Sequence, residues 1–108
     1  MEMVKQYDIY WISLNPTIGS EIKKTRPCLV ISPDVSNKHL STVLVAPLTS
    51  TIRKFPMRME IMVEGKKGQL AFDQIRCIDK IRILGKLGAL TSEERIEAKK
   101  ILKEFLIS

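Results

Sequence analysis

Residues 8–14 read DIYWISL, an aromatic and β-branched run that is typical of a β-strand. The Asn-Pro pair at 15–16 ends it, because proline removes a ladder donor and asparagine favours turns. Residues 29–31 (LVI) form a short continuous apolar run, which predicts a strand buried on both faces. Residues 42–46 (TVLVA) predict another strand, which Pro47 should stop. The first half of the chain therefore predicts short strands separated by polar turns.

The second half begins with a clear two-residue alternation over residues 57–64. The apolar face of this predicted strand carries Met57, Met59, Ile61 and Val63. Residues 65–68 (GKKG) then predict a tight hairpin loop. Further strand material follows at residues 69–72, 75–78 and 83–87.

The C-terminal segment changes to a helical period. Thr91 is a good N-cap residue, and Glu94 stands three positions later, as a capping box requires. One helical face then carries the apolar residues Ala98, Ile101, Leu102, Phe105 and Leu106. The sequence predicts a mainly β fold, α+β by some counts: a small barrel of about six or seven strands with a C-terminal helix, all in one domain over residues 1–108.

Composition narrows the partners and the chemistry. The 108 residues carry a formal net charge of +6, which favours a polyanionic partner such as nucleic acid, although only weakly. No apolar run approaches the ~20 residues of a membrane span, and the N-terminus lacks a signal-peptide pattern, so a cytoplasmic protein is expected. Cys28 and Cys77 are predicted to be buried thiols, and with His39 as the single histidine we expect no metal and no cofactor.

Three places could carry polar chemistry. The loop at 15–25 is long and polar, and it leads to Arg26, whose backbone is restricted to extended angles by Pro27. A guanidinium fork at a strand entrance suits phosphate recognition, although most arginines are simply solvated. The hydroxyl residues at 49–51 could bind a phosphate oxygen or cap a turn. Residues 73–74 (DQ) could hold the barrel together or contact a base edge.

The chain has only six aromatic residues, so few side chains are available to stack on RNA bases. Trp11 and Phe72 are predicted to serve the core. His39 stands beside an Asn-Lys pair and is predicted to be a surface residue rather than a catalytic base.

Together these motifs resemble the MazF/PemK family of toxin endoribonucleases, the mRNA interferases. The resemblance covers nearly the whole chain, and it rests on several motifs in the same order. They are residues 8–11 (DIYW), 14–21 (LNPTIGSE), 25–27 (TRP), 30–32 (VIS), 45–50 (VAPLTS) and 73–76 (DQIR).

The resemblance implies an SH3-like β-barrel that forms a homodimer and is blocked by a MazE-like antitoxin protein. It implies sequence-selective, metal-independent cleavage of single-stranded RNA, giving a 2′,3′-cyclic phosphate or 3′-phosphate and a 5′-hydroxyl. The family's catalytic arginine and threonine correspond to Arg26 and Thr49, and an acidic site position corresponds to Glu21. The predicted RNA-binding positions are Ser50, Gln74, Thr25 and Lys24.

One departure concerns the residues before Thr-Arg-Pro. Many family members carry small, glycine-type residues there, whereas this chain has lysines at 23–24, which should make the loop more cationic and less flexible. Two other functions remain open from the sequence. One is a related toxin that poisons gyrase, and the other is a noncatalytic RNA-binding SH3-like module.

Overall fold

The computed structural model describes residues 3–107, which form an antiparallel sheet and two helices. The strands are β1 Asp8–Ser13, β2 Thr25–Val30, β3 Thr42–Thr49, β4 Arg58–Val63, β5 Lys66–Ala71, β6 Arg76–Asp79 and β7 Ile83–Ala89. The helices are α1 Asp34–His39 and α2 Ser92–Ile107, and single 3-10 turns occupy Phe72–Gln74 and Lys80–Arg82. The predicted mainly β fold with a C-terminal helix is therefore confirmed.

The sheet is arranged around β3. Its strand order is β4-β5-β3-β2-β1-β7, and β6 pairs with the first half of β3. The seven strands curl into a half-barrel, because β3 changes its partner from β6 to β5 along its length. This change of partner brings the β4–β5 hairpin next to the ends of β2 and β3.

The prediction that Pro47 stops the third strand is wrong. β3 runs on to Thr49, and Pro47 pairs in register with Cys28 of β2. On the other side of β3, pairing with β6 ends at Val45 and pairing with β5 starts at Leu48. Pro47 therefore lies in the gap between two partner strands, where a missing N–H costs no ladder bond.

The hairpin between β4 and β5 is shorter than predicted. Its loop consists of Glu64 and Gly65, and residues 66–68 already belong to β5. Both loop residues have positive φ, 50° and 75°, as the tight two-residue hairpin turns require. The lysines at 66–67 therefore belong to a strand rather than to the predicted loop.

Two apolar clusters are separated by the sheet. The first includes Leu29, Leu48, Met59 and Phe72, and α2 covers it through Ala98. The second contains Val4, Tyr10, Ile12, Leu14, Cys28, Val30, Val43, Val45 and Ile78. The predicted core role of Phe72 and the predicted burial of residues 29–31 are confirmed.

The C-terminal helix follows its predicted start, and the first part of its predicted apolar face packs on the core. The Thr91 hydroxyl accepts the Glu94 amide at 3.2 Å, and the Glu94 carboxylate accepts the Thr91 amide at 2.9 Å, which is the expected capping box. Ala98 is buried, and Ile101 and Leu102 pack partly buried against the first cluster. Phe105 and Leu106, which were predicted on the same face, are exposed.

The short helix α1 was not predicted from the sequence. It is held by the buried Asn37, whose side chain donates to the Ser32 carbonyl and accepts the Ser32 hydroxyl. His39 lies exposed at its end, as predicted. Of the two cysteines predicted to be buried, Cys28 is buried and Cys77 is exposed. Within residues 3–107, no helix is long and apolar enough to cross a membrane.

Candidate functional site

The two predicted catalytic residues lie at the start of β2 and at the end of β3, on neighbouring antiparallel strands. Cys28 pairs with Pro47 in the antiparallel register of these strands. Continuing this register by two residues places Arg26 opposite Thr49. Side chains directly opposite each other in an antiparallel pair lie on the same face, with Cβ atoms roughly 5 Å apart. A guanidinium and a hydroxyl are thus neighbours at one end of the sheet.

Arg26 is oriented by the backbone that precedes it. Its Nε donates to the Lys23 carbonyl at 2.8 Å. Among residues 3–107, its two terminal nitrogens have no hydrogen-bond or ion-pair partner. Because the Nε contact fixes the plane of the guanidinium, the terminal nitrogens form an open fork that can bind two oxygens of a phosphate.

Thr49 is buried, but its hydroxyl keeps a donor available. Its Oγ1 accepts the amide of Thr51 at 3.2 Å. A threonine hydroxyl has one proton to donate, and no protein acceptor for this proton is found in the part of the chain described here. Ser50, the next residue, is exposed. The end of β3 therefore offers hydroxyl groups beside the Arg26 fork.

Gln69 fixes the loop that follows Thr49, and no sequence motif had pointed to it. It lies opposite Thr49 in the β3–β5 register and is buried. Its amide oxygen accepts the Arg53 N–H at 2.9 Å, and its amide nitrogen donates to the Arg53 carbonyl at 3.0 Å. This two-bond contact holds the backbone of residues 50–53 against β5.

Arg26, Thr49 and Ser50 line one cavity of about 280 Å³. The remaining lining residues are Trp11, Pro27, Leu48, Val63, Glu64, Lys66, Lys67, Gly68 and Leu87. Trp11 was predicted to serve the core, and this is wrong: 40% of its surface is exposed. Its side chain lines the cavity, which leaves the indole partly open to solvent.

The other predicted site residues lie outside this lining and belong to the loop before β2 or to its supports. The Glu21 carboxylate accepts the Ile18 amide at 2.6 Å and makes no ion pair with Arg26 within residues 3–107. Lys24 and Thr25 are exposed. The Gln74 side chain accepts the Ile22 amide at 3.4 Å, so it supports the same loop. Their predicted contacts with RNA stay predictions.

Two guanidiniums anchor the start of that loop. Arg76 donates to the Leu14 carbonyl at 2.9 Å, and Arg82 donates to the Ser13 carbonyl at 3.2 Å and to the Asn15 carbonyl. Arg76 also belongs to the motif at 73–76 that the sequence singled out. The chain entering the loop is therefore held at three consecutive carbonyl groups.

Asp73 has the structural role that was one of its two predicted alternatives. Its carboxylate accepts two hydrogen bonds from Arg58, at 2.6 and 2.9 Å, which hold the pKa of Asp73 below its usual value. Burial raises the pKa of the Cys28 thiol to about 12, so it stays protonated and cannot act as a nucleophile at neutral pH. Residues 3–107 contain no group of three or more His, Cys, Asp or Glu side chains that could hold a metal ion.

Solved structures share this fold closely. The MazF of Deinococcus radiodurans superposes with a TM-score of 0.85 over 98% of both chains, at 23% identity. An endoribonuclease from a mycobacterial species, solved in complex with its cognate antitoxin, superposes with a TM-score of 0.81 over 95% of this chain and 94% of that one, at 21% identity. These structures establish the architecture.

The fold and the cavity together define a small basic half-barrel. The polar rim of its cavity is formed by the open guanidinium fork of Arg26 and the hydroxyl residues Thr49 and Ser50. The relatives of the chain include the endoribonuclease EndoA of Bacillus subtilis, 34% identical, with 84% of each chain covered. The endoribonuclease MazF of Staphylococcus epidermidis is 37% identical, with 88% of this chain and 84% of the relative covered. The family profile described as PemK-like, MazF-like toxin of type II toxin–antitoxin system matches residues 5–106. The chain belongs to this family, as the sequence motifs predicted.

Proposed function

We propose that the protein is an endoribonuclease that cleaves single-stranded RNA at the rim formed by Arg26 and Thr49. The observation that carries this proposal is that Arg26 and Thr49, at the start of β2 and the end of β3, line the same cavity of about 280 Å³. Two relatives with 34% and 37% identity bear the name endoribonuclease, and this supports the reaction class.

The reaction needs alignment and charge stabilisation more than a protein nucleophile. The 2′-OH oxygen of the RNA attacks the adjacent phosphorus, and the bond from phosphorus to the 5′-oxygen breaks. The 2′ proton is lost to solvent and the leaving 5′-oxygen gains a proton, giving a 2′,3′-cyclic phosphate and a 5′-hydroxyl. Holding the attacking oxygen in line and stabilising the phosphoryl charge can supply most of the acceleration without a metal.

Arg26 supplies the charge in this scheme. A guanidinium in a protein does not give up its proton, so Arg26 acts by electrostatic stabilisation rather than by proton transfer. The free terminal nitrogens bind the nonbridging phosphate oxygens, and the Thr49 hydroxyl donates to the same group. Glu21 contributes through the shape of the loop, because its carboxylate holds the Ile18 amide. Its assignment to the catalytic site, which the resemblance implied, stays a prediction.

RNA contacts extend to both sides of this rim. Ser50 follows Thr49, and Lys24 and Thr25 precede Arg26. An RNA strand that lies across the start of β2 and the end of β3 therefore meets these residues in turn. Gln74 lies outside the cavity lining and accepts the Ile22 amide, so it acts on RNA through the loop that it supports. Because the substrate is messenger RNA, the reaction takes place in the cytoplasm.

The partners we propose are those of the relatives. A second copy of the chain completes a homodimer, and a MazE-like antitoxin protein blocks the enzyme. Solved relatives include MazE–MazF complexes from Deinococcus radiodurans and a mycobacterial endoribonuclease with its cognate antitoxin. An antitoxin with an acidic segment suits a protein with a net charge of +6.

The reaction is tested with purified protein and a long RNA in EDTA, followed by mapping of the ends. We expect defined cuts with 5′-hydroxyl ends. Arg26→Ala should reduce cleavage at least about 100-fold, the scale of removing one oxyanion donor, and Thr49→Val should reduce it comparably. Thr51→Val is the matched control, because its hydroxyl lies outside the cavity and only its backbone contacts Thr49.

Three outcomes would contradict the proposal. Intact RNA together with inhibited gyrase would favour a gyrase-poisoning toxin. Binding without cleavage would favour a noncatalytic RNA-binding module. Cleavage that survives in both Arg26→Ala and Thr49→Val would place the reaction elsewhere on the molecule.

A further inference from the structure

Arg26 takes its orientation from a stretch of exposed backbone. Its Nε donates to the Lys23 carbonyl at 2.8 Å, so the plane of the guanidinium follows the direction of that carbonyl. Lys23 and Lys24 are both exposed, so burial in the core does not fix the chain there. The hydrogen bonds of the neighbouring backbone therefore decide where the Arg26 fork points.

Asn15 makes a side-chain contact with this backbone. Its Oδ1 accepts the Lys24 amide at 3.1 Å. The Lys24 N–H and the Lys23 carbonyl belong to one peptide group, which is planar and rigid. A hydrogen bond that fixes the N–H therefore fixes the carbonyl on its opposite side as well. The Asn15 oxygen thus orients, through a single peptide group, the acceptor on which Arg26 Nε depends.

The conformation of Lys24 needs this contact. Its φ of +75° lies in the left-handed region, where residues other than glycine stay only if their surroundings hold them. On the other side of Lys24, its carbonyl accepts the Leu14 amide at 3.0 Å. Without the Asn15 oxygen, Lys24 is free to return to a negative φ, and this rotation turns the Lys23 carbonyl away from Arg26.

Asn15 is itself held from a distant part of the chain. Arg82, in the 3-10 turn between β6 and β7, donates from one terminal nitrogen to the Asn15 carbonyl and, at 3.2 Å, to the Ser13 carbonyl. A charged donor makes a stronger hydrogen bond than a neutral one. Because Arg82 and Asn15 are 67 positions apart, only the folded sheet brings them together. The turn after β6 thereby fixes the backbone from which Asn15 reaches Lys24.

We propose that Asn15, held in place by Arg82, is a positioning residue that aims the Arg26 guanidinium at the scissile phosphate. This inference rests on the proposed function, because that function assigns the phosphate to Arg26. Neither Asn15 nor Arg82 lines the cavity with Arg26 and Thr49, so both act through the backbone rather than by touching RNA. Their loss therefore slows the reaction more than it weakens substrate binding.

Steady-state cleavage of a short RNA with one cut site measures this effect. Asn15→Ala should lower kcat by about 10- to 100-fold, the scale of misplacing a catalytic group by about 1 Å. The ratio kcat/KM should fall by the same factor, since the lost interaction acts in the transition state. Asn15→Asp keeps an acceptor oxygen in the same place and should recover most of kcat. Thermal unfolding shows whether each variant is folded at the temperature of the assay.

Two substitutions of Lys24 test the route through its backbone. Lys24→Gly and Lys24→Ala both remove the lysine charge, but only glycine adopts a positive φ as readily as a negative one. Adding Asn15→Ala should therefore lower kcat several-fold less in the Lys24→Gly background than in the Lys24→Ala background. Equal penalties in the two backgrounds would overturn the route from Asn15 to Arg26.

The role of Arg82 is tested in the same assay. Arg82→Ala should lower kcat without a large change in KM, and Arg82→Lys, which keeps a charged donor, should recover part of the loss. Combining Arg82→Ala with Asn15→Ala should cost little more than Asn15→Ala alone, since both changes break one chain of contacts. Penalties that simply multiply would contradict a shared route.

The Arg26 Nε–H gives a readout that does not depend on cleavage. In proton–nitrogen NMR spectra, its signal is the side-chain signal that Arg26→Ala removes. The hydrogen bond to the Lys23 carbonyl slows exchange of this proton with water, so we expect a sharp signal in the parent protein and in Asn15→Asp. In Asn15→Ala the signal should broaden or disappear.

The outcomes separate this inference from the proposed function. A folded Asn15→Ala protein that keeps both the Arg26 Nε–H signal and a normal kcat would overturn the positioning role and leave the nuclease proposal intact. Loss of the signal in Asn15→Ala, in a protein whose parent never cleaves RNA, would keep the orientation of Arg26 by Asn15 and overturn the nuclease proposal.

Discussion

Lys24 occupies the most strained backbone position near the site. Its φ of +75° lies in the left-handed region, where a side chain costs about 1–2 kcal/mol and glycine costs little. The conformation is held because the Lys24 amide donates to the Asn15 side chain and its carbonyl accepts the Leu14 amide. The resemblance to MazF/PemK toxins implied small, glycine-type residues just before Thr-Arg-Pro, and this geometry gives the physical reason.

We expect Lys24→Gly to be more stable than Lys24→Ala by about 1 kcal/mol in the free energy of unfolding. Both variants remove the same charge, so the comparison isolates the backbone. Urea denaturation at neutral pH measures the difference. At Lys23, whose φ is not positive, the order should reverse, with Ala at least as stable as Gly. If Lys24→Ala is as stable as Lys24→Gly, the strained conformation is not the one adopted in solution.

At the residue scale, the sequence indicated candidate groups but not their surroundings. Pro27 and the hydroxyl run at 49–51 marked two possible polar sites, and the resemblance to the family selected Arg26 and Thr49, whose catalytic roles stay predictions. Trp11 was misassigned because alternation along a strand shows which residues share a face, but not whether that face is covered. Gln69 could not be found, because its partners are backbone atoms of a loop 16 residues away.

At the scale of elements, the close approach of β3 and β5 positions Thr49. A Cβ on Gly68 would lie 2.9 Å from Leu48 Cγ and 3.1 Å from the Thr49 carbonyl oxygen. The second of these atoms is backbone, so it cannot move aside without shifting the strand. The absence of a side chain at Gly68 therefore lets β5 lie close to the end of β3 without displacing Thr49.

We expect Gly68→Ala to lower cleavage by at least about tenfold, since a displacement near 1 Å at a catalytic group can cost up to about 100-fold. The loss should appear mainly in kcat, because the lysines of the hairpin remain. Gly88→Ala in β7 is the matched control, because a Cβ there meets no atom within 4 Å, and its activity should equal that of the parent protein. Equal activity of both alanine variants would show that Thr49 does not depend on this contact.

The elements themselves were largely predictable from periodicity, and their ends were not. The alternation of residues 57–64 and the capping box at Thr91 depend on local sequence, and both were confirmed. The continuation of β3 through Pro47 depends on a gap between two partner strands that are distant in sequence. Helix α1 depends on the buried contacts of Asn37 with Ser32. Tertiary partners decide such features, and a local pattern does not contain them.

At the scale of the whole molecule, one ion pair joins the β4–β5 hairpin to the turn that follows β5. Arg58 donates two hydrogen bonds to Asp73, and its guanidinium also lies 5.6 Å from the centre of the Phe55 ring. The side chain of Arg58 is 8% exposed and that of Asp73 is 25% exposed. Partial exposure screens the pair, so we expect it to contribute about 1–2 kcal/mol at neutral pH.

The pH dependence of stability follows from the lowered pKa of Asp73. A carboxylate with a lower pKa in the folded than in the unfolded chain stabilises the fold above the unfolded value of about 3.9. That contribution is lost as the pH falls through the lower, folded value. We therefore expect Asp73→Asn to lower the free energy of unfolding by about 1–2 kcal/mol at pH 7 and to have a much smaller effect in strong acid.

Urea denaturation from pH 7 into strong acid measures the gap between the parent protein and Asp73→Asn, that is, the difference in their free energies of unfolding. Glu97→Gln is a suitable control, because Glu97 is an exposed carboxylate of α2 whose replacement should change stability little at any pH. A gap that stays constant from neutral pH into strong acid would mean that Asp73 acts through packing of the turn rather than through its charge. A gap that closes as the pH falls would show that the charge of Asp73 holds the hairpin, and with it Gly68 and Lys66, against the rest of the sheet.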